Sequence, residues 1–220
     1  MRPVVLALAL LALAAPVAAA APGLTLDVAR PEVVFGQRHA LGGVLADGTT
    51  PIPNQIVVLE GIRAPHVHGF RQLARTLTDA KGAFRFRLKL DRNYRLRATV
   101  PALGAVSPVV RAFTLPAFKL TFRGVRPGVV RLIQLYTVPR GVRLTAPTLF
   151  YLGRVKSRRS SLRVQAPTRR VRAGHYRARA TVKLPAAWKG RFRFGSCFRT
   201  TRASGMGRPG DRCPRRFSFG

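Results

Sequence analysis

From Arg92 to Gly210 the chain runs 119 residues without one Asp or Glu, while that stretch carries 27 Lys and Arg. The seven acids are Asp27, Glu32, Asp47, Glu60, Asp79, Asp91 and Asp211. A segment without carboxylates cannot run paired-acid glycoside hydrolysis, orient a catalytic His through an Asp, or build an oxygen-ligand Ca²⁺ or Mg²⁺ site. It can present an unneutralised positive surface to a polyanion. Cysteine is nearly as scarce, with Cys197 and Cys213 the only two, so no Cys-rich zinc module is available. Long apolar runs are missing beyond the amino terminus, which leaves no second segment that could span a bilayer.

Motifs that carry chemistry are also absent. There is no G-x-S-x-G elbow, no Cys-His-Asn arrangement with plausible neighbours and no phosphate-binding Gly loop. Ser160, Ser161 and Ser204 have no His beside them in sequence. The reading is a non-enzymatic protein with no cofactor and no metal. His66-Val67-His68 is the one candidate exception, because i and i+2 of an extended segment point to one side. Two imidazoles with no third ligand in reach make a poor metal site, and Pro65 and Gly69 mark a solvated loop instead.

What is present begins with the amino terminus. Met1-Arg2-Pro3 is a short basic start, Val4 to Ala15 is unbroken apolar sequence, and Val17 to Ala21 supplies small residues for cleavage. That order is a secretory signal peptide over residues 1–21. With Pro16 interrupting the apolar run, a membrane anchor is the weaker reading, so no transmembrane span is expected after cleavage. The expected location is secreted or extracellular, in association with the cell wall. In such an oxidising compartment an even cysteine count favours a Cys197–Cys213 disulfide, closing the Gly- and Arg-rich loop 198–212.

Periodicity elsewhere is two. Phe84-Arg85-Phe86-Arg87-Leu88-Lys89-Leu90 alternates apolar and basic, as do Tyr94 to Val100, Tyr176 to Val182 and Arg191 to Phe194. Alternation puts the apolar side chains on one sheet face and the arginines on the other. Short strands separated by Gly, Pro and Asn/Asp turns predict an all-β fold: two antiparallel β-sandwich, Ig-like domains in tandem after the signal peptide. The boundary is set at Leu115-Pro116, giving residues 22–115 and 116–220. Charge changes abruptly there, from +7 before the boundary to +25 after it. In the first domain, Leu73 to Thr78 is expected to meet Phe84 to Leu90 across the turn Asp79-Ala80-Lys81-Gly82.

The order Gly43-Val44, Val57-Val58-Leu59, Thr78-Asp79-Ala80-Lys81-Gly82-Ala83-Phe84 and Asn93-Tyr94-Arg95 resembles bacterial Ig-like and carboxypeptidase-regulatory-like sandwich modules. These belong to secreted, actinobacterial-type proteins. The resemblance covers about residues 30–115. It implies a β-sandwich that serves as a spacer, adhesin unit or sugar-binding appendage. Lys81 stands where many relatives carry an acid, which speaks against a Ca²⁺ role for the turn.

Arg outnumbers Lys 34 to 6, as a GC-rich genome would favour, but that bias does not remove the acids. Solubility is usually met by a net charge of about 2–8, so the second domain is expected to hold anions. The densest runs supply the candidate polyanion-binding residues Lys156, Arg158, Arg159, Arg169, Arg170 and Arg172, read as solvated loops. The expected partner is an anionic cell-wall polymer or another polyanion, bound by a secreted envelope protein with an Ig-like structural or adhesive module. The alternative is a carbohydrate-binding accessory module of the cell surface, with a polysaccharide partner and Trp188, Tyr151 and Gln165 as its hints.

Overall fold

The computed structural model describes residues 22–154, 161–186, 192–198, 200–201, 204–207 and 217–218. The signal segment 1–21, the run Lys156, Arg158 and Arg159, Trp188 and Cys213 lie outside the described residues. Among those residues the architecture is all-β, with one 3-10 turn at Pro101–Leu103 and no α-helix. Four sheets account for the strands, and all pairings but one are antiparallel.

In the first sheet β4 (His39–Asp47) is the hub. It pairs with β1 (Gly23–Leu24), β2 (Asp27–Val28), β5 (Thr50–Pro51) and β8 (Ala83–Leu88). The second sheet has the order β3 (Glu32–Val34), β11 (Val110–Leu115), β9 (Tyr94–Val100), β6 (Ile56–Arg63) and β7 (Arg71–Leu77). A short β10 (Ala105–Val106) lies beside β9, and β3 with β11 is the parallel pair. The alternation read from sequence decides what these two sheets bury. Phe84 and Phe86 from β8 meet Leu59, Leu96 and Ala98 from β6 and β9 in one core cluster, while Arg85 and Arg87 stay in solvent.

Residues 117–218 repeat the pattern. β12 (Ala117–Arg126), β13 (Val129–Thr137), β17 (His175–Lys183) and β16 (Arg169–Arg172) form a third sheet in that order. β15 (Ser161–Ala166), β14 (Thr148–Arg154), β18 (Phe192–Phe198) and β19 (Phe217–Ser218) form a fourth. Val130, Leu132, Ala178, Ala180 and Val182 pack with Phe150, Leu152, Ala166 and Phe194 into a second cluster. A polar contact crosses this interior, where Ser196 Oγ donates to Gln134 Oε1 at 2.6 Å.

Three expectations need correction. The turn at Asp79 forms as read: Gly82 N–H reaches the Asp79 carbonyl at 2.8 Å, and Asp79 Oδ1 accepts from the Lys81 and Ala83 amides. The strands it joins, however, do not pair with each other. β7 pairs with β6, and β8 pairs with β4, so the turn crosses from one sheet to the other. Turn chemistry fixes a reversal of direction, and period two says which face is buried. Neither says which neighbour a strand will take.

Arg169 to Arg172 is not a loop but the edge strand β16, every residue of it exposed. Nor is the segment between the cysteines a solvated loop throughout. Ser204, Gly205, Met206 and Gly207 are buried. Met206 joins Tyr136, Val138, Val142, Leu144 and Tyr176 in a third core cluster, against which Phe35 and Phe198 pack. Gly205 and Gly207 adopt left-handed φ of 62° and 78°, and the polar groups of this buried stretch find partners. Asn93 N–H donates to the Gly205 carbonyl, Arg92 Nη1 to that of Ser204, and Gly207 N–H to that of Thr114, at 2.8, 2.8 and 2.9 Å.

Candidate cationic sheet face

The outward face of the third sheet follows from its register. Residues directly opposite one another on neighbouring strands share a face. Lys119 lies opposite Leu135 and Leu135 opposite Arg177, which in turn lies opposite Arg169. The next rung runs Thr121, Ile133, Arg179, and the one after it Arg123, Arg131, Thr181. Lys183 extends the row on β17, opposite Val129, and a register shift in β12 between Gly124 and Arg126 sets Arg126 opposite Val129 from the other side. A register shift in β16 between Arg170 and Arg172 returns Arg172 to the same face, opposite His175. Their sheet neighbours Leu132, Gln134, Tyr136, Ala178 and Ala180 point the other way and are buried.

Nine cations therefore share one surface: Lys119, Arg123, Arg126, Arg131, Arg169, Arg172, Arg177, Arg179 and Lys183. Eight are exposed, and Arg131 is half-buried at the centre. Same-face neighbours are about 6.6–6.8 Å apart along a strand and about 4.8 Å across. No acid occurs anywhere on these four strands. Like charges directly opposite one another, as at Arg123 with Arg131 and Arg169 with Arg177, cost stability. Arg131 Nε is a buried donor without an acceptor. Chemically the face offers forked donors to phosphate, sulfate or carboxylate oxygens.

The six candidate residues read from the dense runs fare unevenly. Arg169 and Arg172 belong to this face. Arg170 lies opposite Tyr176, a core residue, and so belongs to the other side of the sheet edge. Lys156, Arg158 and Arg159 fall outside the described residues. Lys119, Arg123, Arg126, Arg131, Arg177, Arg179 and Lys183 were missed. The signal was present in Tyr176-Arg177-Ala178-Arg179, because on a strand an i, i+2 spacing concentrates charge on one face whereas a contiguous run divides it between two.

The hints for sugar recognition are less concentrated. Tyr151 has the Arg163 guanidinium 5.8 Å from its ring centre, and Gln165 is exposed on the same strand as Arg163. Cys197 is buried on β18, and no free cysteine occurs among the described residues. Cys213, the other half of the expected bridge, lies outside them. His66 and His68 have no third His, Cys, Asp or Glu placed to complete a metal site among the described residues.

No family model matches the chain, and no curated protein matches its sequence. Among solved structures, trypsin-activated alpha-2-macroglobulin from Escherichia coli overlaps 81% of this chain at 14% identity, with a TM-score of 0.32. The chain spans only 14% of that protein's length, and a likeness this slight carries no argument about binding or activity.

Proposed function

We propose that this chain is a secreted, non-enzymatic envelope protein, held at an anionic surface through the outward face of β12, β13, β17 and β16. In this reading residues 1–21 are a signal peptide, residues 22–115 an Ig-like sandwich module, and residues 116–220 a cationic sandwich-like domain. The observation that carries it is the gathering of nine cations on one sheet face with no carboxylate on any of its strands. A mixed-charge surface would serve solubility with less self-repulsion. The partner is a linear polyphosphate ester of the wall type or a comparable polyanion, recognised by charge density and not by base or sugar edges.

Binding of the chain from residue 22 onward to teichoic acid, duplex DNA and a neutral glucan at several salt concentrations tests this. Affinity for the two polyanions should be similar and fall steeply with salt, since counterions released from the polymer drive it. Each Arg of the face replaced by Gln should lower the salt slope by about 1. Salt-insensitive binding to the neutral glucan, with no affinity for either polyanion, would replace this reading with the carbohydrate-module alternative.

A further inference from the structure

The His66-Val67-His68 loop lies at a second, separate basic corner, on the outward side of the second sheet. Arg95 on β9 and Arg111 on β11 are direct register partners, so two exposed guanidinium groups rise side by side from adjacent strands. On the other side of Arg95 the partner is Ile62, near the end of β6, from which the loop departs. The loop turns back at once: His66 N–H donates to the Arg63 carbonyl at 2.8 Å, and His66 sits at φ 67°. A left-handed His is uncommon, and such residues cluster where the fold holds a side chain in a required place. The result brings the half-buried His66 within the field of both arginines. Its proton affinity is lowered by burial first, and then by Arg95 and Arg111.

The carboxylates that could neutralise this corner are occupied. Asp91 is paired with Arg63 and also accepts from Tyr94 Oη, and Glu60 is paired with Arg97 at 2.8 Å. Glu32, on the neighbouring β3, is itself engaged. Two like charges directly opposite each other destabilise a sheet, and an anion between them would offset that cost. Two planar forks and an imidazole supply donors suited to a tetrahedral oxyanion, which accepts several charge-assisted hydrogen bonds at once.

We propose that His66, Arg95 and Arg111 form a binding site for a single phosphate group, distinct from the extended cationic face. The phosphate comes either free or as the ester of a small molecule or polymer end. The site does not depend on the function proposed above, because it takes one compact group and lies on other strands.

The test is NMR of the His66 ring in the chain from residue 22 onward, with the resonance assigned by His66→Asn. Inorganic phosphate and glycerol 3-phosphate are titrated in separate arms, with chloride at matched ionic strength as reference. A saturable shift of the His66 signal with either phosphate but not with chloride supports the site, and the tighter arm identifies the source. Arg95→Gln and Arg111→Gln should each weaken that binding about tenfold, the worth of one charged hydrogen bond. Arg95→Lys should retain part of it. Arg177→Gln with Arg179→Gln should leave it unchanged while weakening polyanion binding. Equal shifts with chloride, or a phosphate response that survives loss of both Arg95 and Arg111, would overturn the proposal.

Discussion

His39 is fully buried at the start of β4, with Nε2 3.4 Å from Thr114 Oγ1 and no partner for Nδ1. Burial lowers its pKa below the ordinary 6.5, so the folded state holds the imidazole neutral. The unfolded chain takes up the proton first as pH falls. Stability from this residue is therefore complete above pH 6.5 and declines below it, down to the depressed folded value. The urea midpoint should drop between pH 7 and pH 5, and His39→Gln should flatten that drop. An unchanged slope in the variant would place the acid sensitivity elsewhere. A second residue-scale test concerns Gly43, where an added methyl would run into the Thr25 carbonyl and the Phe84 ring. Both groups are fixed, Thr25 by its backbone bond to Val44 at 3.0 Å and Phe84 by the core. Gly43→Ala should cost about 1–3 kcal/mol in denaturant unfolding, the usual penalty for overpacking.

At the scale of elements, the buried stretch Ser204–Gly207 is a tie. Asn93 ties its far end to β11, donating through Nδ2 to the Gly207 carbonyl at 2.5 Å and accepting at Oδ1 from Thr114 N–H at 2.9 Å. Asn93→Ala leaves those buried groups without partners and should cost about 1–3 kcal/mol. Met206→Ala, which empties a site among Tyr136, Val142 and Leu144, should cost about 2–5 kcal/mol. If the proposed Cys197–Cys213 bridge closes around this tie, alkylation of the unreduced protein adds no label, and reduction lowers stability by about 3 kcal/mol on the chain-entropy view. Two added labels would refute the bridge. This is also the part of the fold least legible in sequence. Strand existence and buried face could be read at Phe84-Arg85-Phe86 and at Tyr176-Arg177-Ala178, because side-chain direction is local. Sheet membership of β7 and β8 depends on strands well back along the chain, and the burial of a Gly-rich tail segment on groups more than a hundred residues away, as Arg92 and Ser204 illustrate. The cationic face was half legible for the same reason: the alternation was visible, but the register that aligns Lys119, Leu135 and Arg177 was not.

For the whole molecule, charge is the dominant unbalanced quantity, at +33 over the sequence. Adjacent cations on the third sheet spring from backbone positions about 5–7 Å apart. Salt screens beyond a Debye length of about 8 Å at physiological strength and about 30 Å at 0.01 M. Simple salt therefore relieves repulsion between distant parts of the chain but leaves nearest neighbours on the face largely unscreened. A polyanion lying on the face removes the near repulsion as well, and binding to the folded state alone adds stability by mass action. The melting temperature should accordingly rise modestly with NaCl and further with inorganic polyphosphate at a far lower concentration of charge. For a chain of this size each kcal/mol recovered corresponds to about 2–4 °C. Replacing Arg123, Arg177 and Arg179 with Gln should raise the melting temperature without ligand and reduce the increment from polyphosphate, because the same charges cause the repulsion and the binding. A variant that melts lower, with the polyphosphate increment intact, would show that those arginines hold the fold and that the polyanion acts elsewhere.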